Sequence, residues 1–273
     1  MADSTKHENH SEAAPLEPNR KAGDRLMKIV DGIEYAFRWC PPGTFLMGSS
    51  DMERKDLADP AEKVWAENEV PHQVTLTEGF WMLETPVTFA MWKSVKKKLP
   101  RIPILGFGRL FLRIFKHRWD SNPVWRVTWD DCQEFCRNLS SKVGMRISLP
   151  TEAQWEYACR AGTTGPYAGS LDEMGWYQSN SGGVVHPAAQ KKPNAWGLYD
   201  MHGNVWEWCQ DWSGPYPLGS VTDPTGPASG SCRTLRGGGW DNSAGKCRSA
   251  YRFFIPPDFY GGDISFRVIA SSK

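Results

Sequence analysis

The segment that decides the fold closes the chain, and from Arg236 to Val268 it reads RGGGWDNSAGKCRSAYRFFIPPDFYGGDISFRV. It interleaves two sets of residues. We call the first set the frame and expect its residues to hold the fold. It consists of Arg236, Gly237, Gly238, Gly239, Trp240, Cys247, Arg248, Ser249, Ala250, Arg252, Pro256, Pro257, Asp258, Phe266 and Arg267. We call the second set the gap residues and expect them to form a binding surface. It consists of Asp241, Asn242, Ser243, Tyr251, Phe253, Phe254, Ile255, Phe259, Tyr260, Gly261, Gly262, Asp263 and Ser265.

Length and composition set the class of protein. A chain of 273 residues buries a sizeable core, as one large domain or two small ones. Its 14 tryptophans, 26 glycines and 20 prolines combine large rings with many turn-forming residues, which predicts an irregular, loop-rich α+β domain. The formal net charge of +1 gives no electrostatic reason to expect a nucleic-acid partner.

Seven cysteines are spread along the chain without a Cys-x-x-Cys pair, and this spacing argues against a zinc site. Cys132 and Cys136 stand four residues apart on a predicted helix, so both point to one face of it. Buried free thiols are the favoured interpretation, and one or two disulfides are the alternative.

The domain organisation follows from polarity and periodicity. The polar stretch 1–23 lacks the apolar region of a signal peptide and is predicted to be a disordered leader, although a chain that begins after a removed signal would look the same. Residues 24–273 are predicted to form one domain. Within it, Ser49 to Asn68 has little apolar periodicity and is predicted to be a loop. Thr151 with Gln154 three residues later predicts the capped start of a helix.

A basic and apolar stretch interrupts this domain at about residues 97–119. Its lysines and arginines break up the isoleucines, leucines and phenylalanines, so the stretch is too basic to span a bilayer. The favoured interpretation is an insertion that packs its apolar face on its own domain, and the alternative is that residues 96–118 contact a membrane surface or a partner.

Four blocks, in order along the chain, resemble one family: Pro42 to Gly48, Arg146 to Ala158, Asn194 to Trp208, and the closing segment from Arg236 to Arg267. The second block reads RISLPTEAQWEYA and the third reads NAWGLYDMHGNVWEW. The family is the formylglycine-generating-enzyme (sulfatase-modifying factor) domain, and the similarity extends from about Asp31 to Val268. The resemblance implies a C-type lectin fold of the formylglycine-generating-enzyme type, α+β with short strands, in which 97–119 is an insertion.

The resemblance also implies how an enzyme of this family would be recognised. In those enzymes a pair of cysteines in the closing block binds copper and oxidises a substrate cysteine, and thiolates suit Cu(I). Cys247 matches the second cysteine, but Asn242 stands where the first would be. One thiolate and one amide cannot make a two-sulfur site, so neither copper nor catalysis is expected. A formylglycine-generating or related sulfur-oxidising enzyme that uses Cys247 is the alternative.

The closing block is also similar to the variable region of proteins diversified by retroelements, of the type found in Treponema. In those systems the adenines of a template are randomised, so AAC or AAT codons yield many residue types while codons without adenine stay fixed. The gap residues are all of types that such codons reach, and none is Glu, Gln, Met or Trp, which they do not reach. The resemblance implies a non-catalytic display protein with a variable region at about residues 236–269.

The predicted ligand-binding residues are the gap residues together with Gly245 and with Trp240, which borders them. Six of them form an aromatic and aliphatic cluster beside prolines and glycines that belong in loops, so the cluster is predicted to be exposed. Such rings offer large contact area at low entropy cost. A buried core strand is the alternative for this cluster.

The expected partner is a protein or another surface ligand of variable identity, with membrane contact only through a lipid anchor or the basic segment 96–118. Such a role implies a cell-surface or extracellular location. A lectin-fold module that binds one fixed partner is a further alternative to the display protein.

Two other groups of residues could have either a ligand-binding role or a structural role. Arg236, Arg248, Arg252 and Arg267 are predicted to be structural rather than anion ligands. The resemblance implies that Asp200, Gly203, Val205 and Glu207 hold one calcium ion, and two carboxylates with backbone carbonyls suit a hard cation. The alternative is that the carboxylates satisfy backbone donors in a tight loop.

Overall fold

The computed structural model describes residues 20–96, 100 and 119–271. The predicted leader therefore lies outside the described residues except for residues 20–23. There the Gly23 N–H donates to the Trp39 carbonyl at 2.9 Å. The predicted insertion at 97–119 and the basic segment 96–118 also lie outside the description, apart from Lys96, Pro100 and Trp119.

A five-stranded sheet contains strands from both the beginning and the end of the domain. Its order is β1-β2-β5-β12-β6, and the strands are β1 (Arg25–Val30), β2 (Ile33–Cys40), β5 (Phe80–Leu83), β12 (Ile269–Ser271) and β6 (Arg146–Ser148). The last strand of the chain, β12, pairs antiparallel with both β5 and β6. The closing block is thus anchored at its C-terminal end in the middle of a sheet.

Two smaller sheets complete the strand framework. The four-stranded sheet has the order β10-β9-β7-β11, with β10 (Phe253–Ile255), β9 (Arg233–Arg236), β7 (Trp206–Trp212) and β11 (Ile264–Ser265). The three-stranded sheet has the order β3-β4-β8, with β3 (Gly43–Met47), β4 (His72–Leu76) and β8 (Val221–Thr222). Three of the four strands in this four-stranded sheet, β9, β10 and β11, belong to the closing part of the chain, which is therefore built into the strand framework.

The described residues form six α-helices and one short 3₁₀ turn. The helices are α1 (Asp51–Lys55), α2 (Pro60–Ala66), α3 (Phe89–Val95), α4 (Trp129–Val143), α5 (Glu152–Arg160) and α6 (Leu171–Met174), and the 3₁₀ turn is Ala244–Cys247. The capping box predicted at the start of α5 is confirmed, because the Gln154 N–H donates to Thr151 Oγ1 at 3.1 Å and Gln154 Oε1 accepts from the Thr151 N–H at 2.9 Å.

The predicted loop from Ser49 to Asn68 is wrong, because it contains α1 and α2. Side-chain caps explain these short helices: Ser50 Oγ accepts from the Glu53 N–H at 3.1 Å, and Asp59 Oδ1 accepts from the Ala61 N–H at 2.8 Å. Pro60 occupies the first turn of α2, where its missing N–H has no cost. Helix formation here rests on caps and tertiary contacts rather than on a long apolar stripe.

Large rings fill the core between these short elements. Trp92 stacks on Phe135 with ring centroids 5.7 Å apart, and Phe266 from the closing block meets the Phe135 ring at 5.2 Å. Trp155 and Trp208 are fully buried. The α+β architecture with short strands and many loops agrees with the prediction from tryptophan, glycine and proline content. Within the described residues, no helix combines the length and hydrophobicity that crossing a membrane requires.

Candidate ligand-binding surface

The four arginines of the frame are buried partners of glutamates from earlier parts of the chain. Each arginine is at most 5% exposed. The pairs are Arg236 with Glu156, Arg248 with Glu69, Arg252 with Glu152, and Arg267 with Glu207. The last three are two-pronged, with N–O distances between 2.6 and 2.9 Å. The predicted structural role of these arginines is therefore confirmed.

Most residues of the predicted ligand-binding set reach solvent. Phe259 is 51% exposed and Tyr260 is 43% exposed, and both line a shallow hollow with Pro256 and Asp258. Asp241 and Gly262 are also exposed, and nine further members are half-buried. We call the thirteen solvent-reaching residues the gap surface: Trp240, Asp241, Asn242, Ser243, Gly245, Phe253, Phe254, Ile255, Phe259, Tyr260, Gly261, Gly262 and Asp263.

Tyr251 and Ser265 do not belong to this surface, and their predicted exposure is wrong. Tyr251 is 2% exposed, and its ring centroid lies 5.9 Å from that of Trp206 in the core. Its carbonyl accepts a hydrogen bond from Arg236 at 2.6 Å, which ties this residue to the frame. Ser265 is fully buried on β11, where it pairs with Glu207 on β7. Core packing, the alternative for the aromatic cluster, holds for Tyr251.

Helix α2 lies against the gap surface, which the sequence did not indicate. Trp65 packs on Phe253 and Phe254, with ring centroids 6.0 and 5.3 Å apart. Glu62 on the same helix is buried and accepts a hydrogen bond from Ser243 Oγ. The only signal for this helix in the sequence is Asp59-Pro60, which fits an N-cap followed by a first-turn proline as well as a turn.

The loop that follows α6 holds the backbone of the gap surface through hydrogen bonds. Ser181 Oγ donates to the Trp240 carbonyl at 2.7 Å, and the Gln178 N–H donates to the Asn242 carbonyl at 2.9 Å. On the other side, the Arg126 N–H donates to the Gly261 carbonyl at 3.1 Å. Backbone contacts thus hold the surface in place, and the half-buried side chains of Phe253 and Ile255 also pack against the core.

Two carboxylates and an amide gather around Gly239, a frame residue at the edge of the surface. A Cβ added to Gly239 would lie 3.0 Å from Asp263 Oδ2, 3.4 Å from Asp241 Oδ1 and 3.4 Å from Asn242 Oδ1. The Asn242 oxygen accepts from the Gly239 N–H at 2.9 Å. Burial, and then the negative charge of Asp241, raise the pKa of Asp263 to about 6.

Cys247, the candidate catalytic cysteine, is fully buried in the 3₁₀ turn. Burial raises the pKa of its thiol above the ordinary value, so the thiol is neutral at physiological pH and a poor nucleophile. All seven cysteines lie within the described residues and all are free, six of them buried. Buried free thiols, rather than disulfides, are therefore confirmed.

The residues of the predicted calcium site are buried at the start of β7 and in the turn before it. Glu207 is fully buried, and Arg267 donates to its two carboxylate oxygens at 2.6 and 2.7 Å. Trp155 Nε1 donates to the same carboxylate at 2.7 Å. The charge of Glu207 is therefore neutralised by Arg267 rather than left for a cation.

The other three members of that set are also engaged within the fold. Asp200 Oδ2 accepts from the Ala189 N–H at 2.8 Å, and burial raises the pKa of Asp200 to about 6. The Gly203 carbonyl accepts from the Val205 N–H at 2.9 Å. Because calcium takes six to eight oxygen ligands, this donor set fits the alternative interpretation better. Calcium binding stays a prediction.

Comparison with solved structures gives the same architecture. Treponema denticola variable protein 1 superimposes with a TM-score of 0.76 and 28% sequence identity, and the match covers 90% of this chain and 98% of that one. PvdO from Pseudomonas aeruginosa superimposes with a TM-score of 0.73 at 24% identity, over 93% of this chain and all of that one, and supports the fold alone. The C-type lectin-like fold of the formylglycine-generating-enzyme type and the resemblance to a Treponema variable protein are thus confirmed.

Comparison with curated sequences identifies the family. The formylglycine-generating enzyme of Streptomyces coelicolor is 35% identical over 169 residues, which cover 54% of this chain and 52% of that protein. The chain spans about half the length of the curated relatives that it matches. The family profile described as "Sulfatase-modifying factor enzyme 1-like domain" matches residues 35–272. This chain therefore belongs to the sulfatase-modifying factor enzyme 1-like domain family.

Proposed function

We propose that this protein is a non-catalytic display protein that binds ligands through the gap surface. One observation carries the proposal: within the closing block, most of the frame residues are buried, and most of the predicted ligand-binding residues reach solvent. The frame arginines are buried in ion pairs, whereas thirteen of the fifteen predicted ligand-binding residues reach solvent. The most exposed of these side chains, such as Phe259, can contact a ligand without disturbing the core.

The state of Cys247 supports a non-catalytic role. Its thiol is buried and neutral, and Asn242 Oδ1 is used in a hydrogen bond to the Gly239 N–H. Formylglycine generation with copper would require a second sulfur ligand beside this thiol. Turnover of a sulfatase-derived cysteine peptide by the copper-loaded protein would overturn the proposal, and we expect none.

The residue types of the gap residues support diversification by a retroelement. Asp, Asn, Ser, Tyr, Phe, Ile and Gly are all reachable from AAC or AAT codons through changes at adenine. The corresponding test is the nucleotide sequence of the locus. We expect a nearby template repeat that differs from the gene only at adenines, and a neighbouring reverse transcriptase. A locus with neither would contradict diversification while leaving ligand binding open to its own test.

Ligand binding is tested by selection from a random twelve-residue peptide library displayed on phage, with the full chain immobilised. We expect selected peptides to lose binding to the double variant Phe259→Ala/Tyr260→Ala and to retain it for Leu218→Ala. Leu218 is a matched control, because it is 97% exposed and apolar but lies in the loop before β8. Peptides that ignore the gap surface would contradict the proposal. Display at the cell surface through a lipid anchor completes the proposed role.

A further inference from the structure

A guanidinium is held between two tryptophan rings at the start of β9. The Cζ atom of Arg233 lies 3.4 Å from the ring centroid of Trp212 and 3.8 Å from that of Trp129. Its Nη1 donates to the Gln210 carbonyl at 2.7 Å. A ring near each side of the cation and a hydrogen bond at one end fix the orientation of this side chain before a ligand binds.

The edge of this guanidinium that is formed by Nε and Nη2 has no partner. In the described part of the chain, Nε is buried without a hydrogen bond, and Nη2 makes none and is open to solvent. Arg252 and Arg267 use the same two nitrogens to bind the carboxylates of Glu152 and Glu207. Arg233 thus presents the two-pronged edge that these arginines use, with no carboxylate against it.

The charge of Arg233 also lacks a counterion among the residues that the structure describes. Burial lowers the pKa of Arg233, and the charges of Asp211 and Asp130 offset this only in part, because neither forms an ion pair with it. Asp211 Oδ2 instead accepts from the Glu152 N–H at 2.8 Å, and Asp130 is exposed in the first turn of α4. A carboxylate supplied by a partner would complete the offset.

Arg233 lies beside the gap surface, on one face of the four-stranded sheet. It pairs with Ile255 on β10 and with Trp212 on β7, so the three side chains form a row across that face. Trp129 lies along the same boundary, because its N–H donates to the Pro257 carbonyl at 3.0 Å. The unpartnered cation is therefore continuous with the surface proposed to bind ligands.

We propose that a protein partner bound at the gap surface places an aspartate or glutamate carboxylate against the Nε–Nη2 edge of Arg233. This inference rests on the proposed function and adds the chemical class of the ligand. Ile255 and Phe259 are four residues apart, so their Cα atoms are separated by at most about 14 Å. A twelve-residue peptide, about 40 Å long when extended, can therefore contact Arg233 and the exposed ring of Phe259 together. Because Arg233 precedes the closing block, the contact stays available whatever the gap residues are.

The test uses the peptides selected from the random library on the full chain. We expect an excess of aspartate and glutamate over the starting library. Replacing the acidic residue of a synthesised peptide with its amide is expected to weaken binding roughly tenfold, as loss of a complementary charge does. The same replacement is expected to have no effect on binding to Arg233→Gln, where the pair is already broken. This double-mutant cycle of peptide and protein isolates the contact from the rest of the interface.

Two further variants separate the site from general attraction between opposite charges. Arg233→Lys keeps the charge but lacks the two-pronged edge, and is expected to weaken binding nearly as strongly as Arg233→Gln. Arg137→Gln removes an equal charge from an exposed position on α4, outside the gap surface, and is expected to change the Kd less than about twofold. Thermal unfolding checks that each variant is folded. If Arg233→Gln does not fold, the amide peptide and Arg233→Lys decide the question.

The outcomes distinguish this inference from the function on which it rests. Peptides that depend on Phe259 and Tyr260 but show no excess of acidic residues, or that bind Arg233→Gln as well as the unmodified protein, would overturn the inference and leave the proposed function standing. Full binding by Arg233→Lys would also overturn it, as would an equal loss with Arg137→Gln. Absence of any peptide that depends on the gap surface would overturn both.

Discussion

Tyr251 and Phe259 are both aromatic gap residues, but their side chains lie in opposite environments. Tyr251 is 2% exposed against Trp206, and Phe259 is 51% exposed. Removing a buried ring costs about 3–5 kcal/mol, whereas an exposed substitution costs within about 0.5 kcal/mol. We therefore expect Tyr251→Ala to lower the free energy of unfolding severely and Phe259→Ala to leave it nearly unchanged, as measured by urea denaturation.

Equal stability of the two variants would contradict the burial assigned to Tyr251. The result also bears on diversification, because a core position tolerates fewer residue types than a surface position. The gap set read from the sequence includes Tyr251 because residue type alone does not distinguish an exposed tyrosine from a buried one. At the residue scale, the sequence predicts the roles of the arginines and the free thiols, but not this boundary between core and surface.

At the element scale, the contact between α2 and the closing block limits what position 245 can carry. A Cβ added to Gly245 would overlap the carboxylate of Glu62, which is only 4% exposed and would have to move out of its hydrogen bond with Ser243 Oγ. Overpacking of this kind costs about 1–3 kcal/mol. We expect Gly245→Ala to destabilise the protein by that amount in urea denaturation.

The double variant Glu62→Ala/Gly245→Ala completes the test. Because truncation of Glu62 opens the space, the double variant is expected to be less destabilised than the two single effects predict together. Gly262→Ala serves as the matched control, since no heavy atom lies within 4 Å of its added Cβ. Additive single effects would show that the two residues do not share this space.

The elements themselves divide into those with strong sequence signals and those without. The strands with apolar alternation and the capped starts of α4 and α5 are predictable, because caps and periodicity are local. Helices α1 and α2 are not, because they are short and charged. Their position is fixed by contacts such as Trp65 with Phe254, between segments far apart in the chain. The packing of helix α2 against the gap surface therefore could not be predicted from the sequence.

At the scale of the whole molecule, stability depends on pH through buried acids. Burial, and then the negative charge of Glu152, raise the pKa of Asp211 to about 7. In the unfolded chain this carboxyl has a pKa of about 3.9. Between these values the folded state keeps the proton and the unfolded state releases it, so the contribution of Asp211 to the unfolding free energy falls as pH rises through this window.

Asp211→Asn isolates that contribution from those of the other buried groups. The amide can still accept the hydrogen bond that the Glu152 N–H donates at 2.8 Å, but it does not titrate. We expect Asp211→Asn to gain stability relative to the unmodified protein as pH rises from about 4 to 8. Urea denaturation at several pH values measures the difference, and parallel pH profiles of the two proteins would contradict it.

The overall architecture was predictable because four sequence blocks carry it, from Pro42 to Arg267. What was not predictable is how those blocks meet. The pairing of Arg248 with Glu69, and of Arg252 with Glu152, joins residues that are 179 and 100 positions apart. Such pairings depend on the assembled fold, and a single sequence contains no local signal for them.

One consequence of these ion pairs concerns the exchange of parts between relatives. The positive partners, Arg236, Arg248, Arg252 and Arg267, all belong to the closing block, and the negative partners all precede Trp208. The closing block therefore supplies the cation of each of these four ion pairs, and the preceding part of the chain supplies the anion. We expect a chimera that receives the closing block of another family member to fold, provided that the four arginines keep their spacing and the buried positions between them, such as Tyr251 and Ser265, keep side chains that fit the core.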